Sequence, residues 1–385
     1  MSFGDTSAFQ DGITTSSLNV KDRITVIGSG NWGSVAARLI AINTRTSPLF
    51  HDEVRIWVFE EILPSGEKLT NAINKYKENK KYLPGVNLGP NVVADPDIRS
   101  AVKDATMLVF VTPHQFIEGI CKDLKGKIKP SVKGISLIKG MEVKESGVTL
   151  ISNKIRKSLG IECSVLMGAN IANEIAEEMF SEATVGYKGN KTIAQKWVQL
   201  FSTPYFSVTA VPDVEGVEIC GTLKNVVAIA AGLVDGLGMG SNTKAAIMRI
   251  GLKEMRYLAR LLFPTVNDTT FFESCGVADL ITTCLGGRNR KVAEAFARNG
   301  GKLSFDELEA KMLNGQKLQG VSTARELSLL LNSKGWEDSF PLFTTVHAIA
   351  TGKVPPTAIV EYSEHVPDEL PPKSRKIYLS LQSGL

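Results

Sequence analysis

The chain has 385 residues, 43% of them hydrophobic and 22% charged, the profile of an ordinary globular protein but more than one hydrophobic core usually supports, so two domains are expected. A formal net charge of +4 is too small to favour nucleic acid as a partner, although local basic clusters can still attract a small anion. Five cysteines (Cys121, Cys163, Cys220, Cys275, Cys284) follow no C-x-x-C spacing and four histidines (His51, His114, His347, His365) are scattered, so reduced thiols of a cytosolic protein and no bound metal are expected.

Residues 1–22 are rich in Ser, Thr, Asn and Asp, without the apolar core of a secretory signal or the arginines of a transit peptide, and read as a flexible tail. No apolar run is expected to reach the ~18 residues of a membrane span, so no membrane partner is expected. The terminal Ser383-Gly384-Leu385 falls short of a peroxisomal signal because its middle residue is not basic.

From Arg23 the chain alternates β-branched runs with helix-like stretches. The strand candidates are 23–27, 54–59, 107–111, 134–138, 164–168, 183–187 and 205–210. Such alternation predicts an α/β fold, a Rossmann-type doubly wound and mostly parallel sheet, over 23–211. After the polar turn Val211-Pro212-Asp213 the period changes to 3.6, at 216–235, 242–262, 276–285, 288–298, 304–313 and 321–332, which predicts an all-helical second domain over 212–385. Pro367, Pro371 and Pro372 suggest that the end wraps over the surface.

Gly28-Ser29-Gly30-Asn31-Trp32-Gly33 lies between the first strand candidate and a helix-like run, the context that a dinucleotide fingerprint requires. The first glycine serves the tight turn, the second the approach of a pyrophosphate, the third the packing of helix on sheet. The second strand ends in Glu60 and Glu61, the former 27 residues beyond Gly33 and farther than the usual ribose-binding acid. An insertion around Thr46-Ser47-Pro48 accounts for the added length. No arginine directly follows that strand to receive a 2′-phosphate, so NAD is favoured over NADP. Two later strands run into Thr112-Pro113-His114-Gln115-Phe116 and into Lys139-Gly140, at carboxyl ends where ligands of such sheets bind.

In the second half Lys224 and Asn225 sit in an aliphatic run, and Thr222 to Val234 holds no other ionisable residue. A buried ammonium loses hydration and its pKa falls toward neutrality, where it can exchange a proton, whereas a snorkelling lysine would reach the surface; periodicity alone leaves both open. Asp279 and Thr283 share one face of a further apolar helix, where the carboxylate can pair with that lysine or remain a surface charge near a helix start. Gly286-Gly287-Arg288-Asn289-Arg290-Lys291 then precedes a helix, a cradle for phosphate or a basic solvated turn.

In order along the chain, GSGNWG, WVFEE, PHQF, SLIKG, GANIA, LKN, NTKAA, GVADLITT, GGRNRK and NGQKLQG resemble eukaryotic, cytosolic NAD-dependent glycerol-3-phosphate dehydrogenases over residues 23–350. This resemblance implies a cytoplasmic homodimer that interconverts dihydroxyacetone phosphate and sn-glycerol 3-phosphate with NAD. It implies that Lys224 is the proton-transferring lysine, with Lys139, Asp279, Asn225 and Thr283 as companions and Arg288 and Asn289 on the substrate phosphate. It further implies that Gly28, Ser29, Gly30, Asn31, Trp32, Gly33, Phe59, Phe116, Lys139, Ala172, Arg288, Lys317 and Gln319 line the cofactor. A β-hydroxyacid or 6-phosphogluconate-type dehydrogenase shares the domain plan, and a non-catalytic NAD sensor is a third reading. The GGRNRK and NGQKLQG segments argue against the former, the intact Lys224, Asp279 and Arg288 set against the latter.

Overall fold

The computed structural model describes residues 21–144, 147–313 and 318–361. Its strands are β1 (Asp22–Ile27), β2 (Phe50–Trp57), β3 (Glu78–Asn79), β4 (Leu83–Asn87), β5 (Val92–Asp95), β6 (Met107–Phe110), β7 (Lys133–Ser136), β8 (Met141–Lys144), β9 (Gly147–Leu150), β10 (Glu162–Met167), β11 (Ser181–Gly186) and β12 (Phe206–Val211). Eight of them form one sheet in the order β12-β11-β10-β7-β6-β1-β2-β5. All its pairs are parallel except β10 with β11.

Neighbouring residues of one strand serve opposite faces of this sheet. Met107 and Val109 of β6 join a core with Val26 and the helix Asn31–Thr44, while Leu108 and Phe110 join another with Ile27, Ile120 and Ile155. A strand buried on both faces reads as an unbroken apolar run, as in MLVF. The chain leaves β1 toward β2 and β5 on one side and then returns to β6 on the other, so a crevice opens at the carboxyl ends of β1 and β6.

All seven strand candidates from the sequence lie on strands of this sheet. The pattern did not disclose β3, β4, β5 or the hairpin β8–β9. β3 and β4 hold Glu, Asn, Pro and Gly, residues of low strand propensity. The hairpin matters for domain architecture, because Met141 and Leu150 leave the sheet and pack into the core of the helical half.

That core surrounds the helix Val214–Gly236, in which Lys224 and nearly all its neighbours are buried. The expectation that no apolar segment reaches span length is corrected here. This helix is long and apolar enough to cross a membrane by length and composition, yet its apolar window is 100% buried inside the protein. A helix apolar all round is the centre of a helical domain, and the embedded Lys224 and Glu218 break its apolar run in the sequence. It packs against helices Ser241–Leu262, Asp279–Gly286, Arg288–Arg298, Gln319–Lys334 and Pro341–Ala350.

Gly232 and Gly236 let the helix Arg288–Arg298 approach. A Cβ on Gly232 would stand 2.2 Å from the Arg290 carbonyl oxygen, and one on Gly236 2.3 Å from that of Glu294. Backbone cannot yield as a side chain can, so Gly232→Ala is expected to lower stability by about 1–3 kcal/mol, the usual cost of overpacking. A thermal midpoint unchanged from the parent would show the crossing to be looser than described.

Candidate active site

The glycine turn after β1 has the properties that its spacing predicts. Gly28 has a φ of +118°, and a side chain there would meet the Val111 carbonyl oxygen at 2.5 Å; at Gly33 a Cβ would lie 2.1 Å from the oxygen of Gly28. Around Gly30 nothing comes within 4 Å of a Cβ, which leaves the approach to the helix start open. Helix Asn31–Thr44 has no side-chain cap and no acid in its first turn, so its N-terminal N–H groups and positive dipole end suit a diphosphate. These features fit a dinucleotide.

Three fingerprint residues spend their polar groups on the protein itself. Asn31 donates to the Tyr82 carbonyl at 2.9 Å and to Asn173 Oδ1 at 2.8 Å, and the Trp32 indole donates to the Asn170 carbonyl at 2.9 Å. The Ser29 carbonyl accepts from Asn79 Nδ2 at 2.8 Å. Asn79, Tyr82, Asn170 and Asn173 thus brace the turn, and single asparagines gave no periodic signal of that role. Ala172 begins the short helix Ala172–Ala176 in this bracing segment.

Phe59 and Phe116 keep 71% and 58% of their surface exposed beyond the ends of β2 and β6. Rings of that size left outside the core at a crevice suit stacking on a ligand. Glu60 and Glu61 at the end of the second strand both have partners within the protein. Glu60 accepts from the Thr70 N–H at 3.1 Å and its hydroxyl at 2.5 Å, at the start of helix Leu69–Tyr76. Glu61 pairs with Lys81 and accepts from the Tyr82 hydroxyl at 2.6 Å.

Lys224 does not snorkel. Its side chain is 4% exposed and its ammonium bonds Asp279 Oδ1 and, at 2.7 Å, Thr283 Oγ. A π-helical turn at Ser274–Ala278 precedes helix Asp279–Gly286, where the sequence predicts one continuous helix over 276–285. Such bulges often occur at functional sites, and this one immediately precedes Asp279. The second oxygen of Asp279 makes no hydrogen bond, and Lys139 Nζ approaches it to 3.7 Å from the end of β7. Burial is the largest influence on Lys224 and lowers its pKa to about 7; Asp279 opposes this and Lys139 reinforces it.

Asn225, next on the helix, accepts from Asn289 Nδ2 at 3.0 Å, and Asn289 Oδ1 accepts the Gly320 N–H at 2.9 Å. This chain of amides joins the lysine helix, the glycine–arginine turn and the first turn of helix Gln319–Lys334. Arg288 opens helix Arg288–Arg298, exposed to solvent yet closely enough walled that desolvation lowers its pKa. Gln319 is half-buried at its helix start, and Lys317 lies outside the described residues. Lys224, Lys139 and Arg288 against Asp279 leave an excess of positive charge, suited to an anionic substrate.

Two family models match the chain. Residues 23–193 match the NAD-dependent glycerol-3-phosphate dehydrogenase N-terminus, and residues 213–361 match the C-terminus of the same family. A glycerol-3-phosphate dehydrogenase [NAD(+)] of Cuphea lanceolata is 73% identical over 344 residues, 89% of this chain and 92% of that protein. One of Arabidopsis thaliana, named chloroplastic, is 71% identical over 345 residues, 90% of this chain and 86% of that protein. The solved glycerol-3-phosphate dehydrogenase of Saccharomyces cerevisiae is 45% identical, with a TM-score of 0.84 over 89% of this chain and 99% of that one.

Proposed function

Since the chain belongs to the NAD-dependent glycerol-3-phosphate dehydrogenase family, we propose that Lys224 is the acid–base group in its interconversion of dihydroxyacetone phosphate and sn-glycerol 3-phosphate. The observation that carries this assignment is a buried ammonium held by one carboxylate and one hydroxyl beside a second lysine. Bound NADH supplies a hydride to C2 of the ketone. Negative charge then builds on the ketone oxygen, where the Lys224 ammonium both stabilises and protonates it. In the opposite direction the free amine takes the hydroxyl proton. Asp279 and Thr283 orient Nζ, and Lys139 adds positive field.

Arg288 and Asn289 hold the substrate phosphate in this reading, with Asn225 fixed by Asn289 between phosphate and reacting carbon. Binding the remote phosphate positions C2, so binding energy is used for orientation. The turn Gly28–Gly33, Phe59, Phe116, Ala172, Lys317 and Gln319 hold the dinucleotide. We divide the chain at 211/212, a boundary supported by the end of β12 at Val211 and the helix that starts at Val214. Purified protein should consume NADH with dihydroxyacetone phosphate and much less with β-keto acids or without phosphate on the substrate. Equal rates with an unphosphorylated ketone would overturn the phosphate assignment.

A cytosolic homodimer is also proposed. Helix Asp279–Gly286 turns Asp279 inward and leaves Ile281 and Leu285 exposed, an apolar face that supports self-association. The relative named chloroplastic keeps the compartment a matter for experiment. Relatives of Bos taurus and Rattus norvegicus that are named cytoplasmic support the cytosol, and a full-length fluorescent fusion found in plastids would reverse that assignment.

A further inference from the structure

Thr222 makes a connection that neither the glycine fingerprint nor the phosphate turn requires. It is 1% exposed on the central helix, where its hydroxyl donates to the Glu218 carbonyl at 3.1 Å and accepts the Gly140 N–H at 3.1 Å. The first bond is the ordinary one of a threonine to its own helix. The second reaches from the lysine helix to the end of β7. Gly140 follows Lys139 directly and has a φ of +143°, with the His114 ring 3.3 Å from where a Cβ would stand. One hydroxyl therefore fastens the peptide that carries Lys139 to the helix two residues before Lys224.

We propose that Thr222 is a positioning residue of the reaction, whose hydroxyl sets the distance of the Lys139 ammonium from the Lys224–Asp279 pair. This rests on the assignment of Lys224 as the acid–base group. Lys139 is 31% exposed and its Nζ ends 3.7 Å from Asp279, a long contact sensitive to where its backbone is anchored. A like charge at that place disfavours the Lys224 ammonium, whereas Asp279 favours it. On the central helix Thr222 to Val234 holds no other ionisable residue; one turn earlier burial pushes the Glu218 carboxyl, which accepts from the Ser152 N–H, up to about 7, and the Cys220 and Cys284 thiols are pushed up by burial and stay neutral near pH 7. The placement of Lys139 thus adds to burial in lowering the Lys224 pKa against the pull of Asp279, and Thr222 anchors that placement.

The test compares Thr222→Val with Thr222→Ser in the full chain. Valine keeps the shape and removes the hydroxyl, so Lys139 should withdraw and the pH at which ketone reduction falls off should rise by about one unit. At the plateau kcat should drop about tenfold with little change in KM, because charge stabilisation is weakened in the transition state. Serine restores the bond and should titrate as the parent does. In a Lys139→Met background Thr222→Val should cause no further pH shift. If valine and serine variants titrate alike, or if the Lys139 and Thr222 effects add, the proposal is wrong. Should the valine variant fail to fold, Thr222→Ala provides the same contrast with serine. A fully active Lys224→Met variant would instead overturn the underlying acid–base assignment, so the two failures are distinguishable.

Discussion

Lys224→Met is expected to reduce turnover by about 10⁴-fold or more in both directions while NADH binding stays within about threefold of the parent. Methionine fits the apolar helix that encloses the side chain, so the fold should survive the change. The loss combines two effects of one group, proton transfer to the developing alkoxide and electrostatic stabilisation of it. Stopped-flow traces and NADH fluorescence separate chemistry from binding. A variant that kept a tenth of the parental kcat would show that the proton comes from elsewhere, with Lys139 the nearest candidate.

The same assignment gives the parental enzyme opposite pH profiles in its two directions. Burial lowers the Lys224 pKa to about 7, below the ordinary lysine value. Reduction of the ketone needs the ammonium and loses rate as pH rises through that value. Oxidation of the alcohol needs the free amine and gains rate over the same interval. These limbs report the enzyme–ligand complex when read from kcat, and Lys224→Met should abolish both.

Much of this site was legible in the sequence because its signals are local. A glycine spacing between strand and helix, one lysine in an aliphatic stretch and two glycines before an arginine each occupy one short continuous segment of the chain. Their mutual placement depends on contacts between helices far apart in the chain, and spacing carries no information about these. That Asp279 pairs with Lys224, and that Asn289 bridges Asn225 to Gly320, required the fold. A carboxylate at a strand end resembles a ribose ligand in sequence, yet here Thr70, Lys81 and Tyr82 compete for it. The helix over 216–235 is legible, but its apolar span length is not: a charged residue interrupts an apolar run on paper, whereas a paired charge need not interrupt burial.

Asp279→Asn should shift the pH dependence in the direction opposite to Thr222→Val. The amide preserves size but removes the countercharge, while Lys139 still disfavours a second ammonium. The Lys224 pKa then falls further, so the loss of ketone reduction begins at lower pH and kcat at neutral pH drops by about 10²–10³-fold. Stability carries the same signature. Breaking a buried ion pair costs about 3–5 kcal/mol when the surviving charge remains. In the unfolded chain Lys224 titrates near its ordinary value, above its depressed value in the fold, so folding is penalised as pH falls from the former to the latter. The deficit in thermal midpoint of Asp279→Asn should therefore shrink as pH is raised into the alkaline range, where the buried amine is neutral. An Asp279→Asn deficit that stayed constant with pH, together with an unmoved kinetic limb, would mean that Asp279 fixes the shape of the site without governing the charge of Lys224.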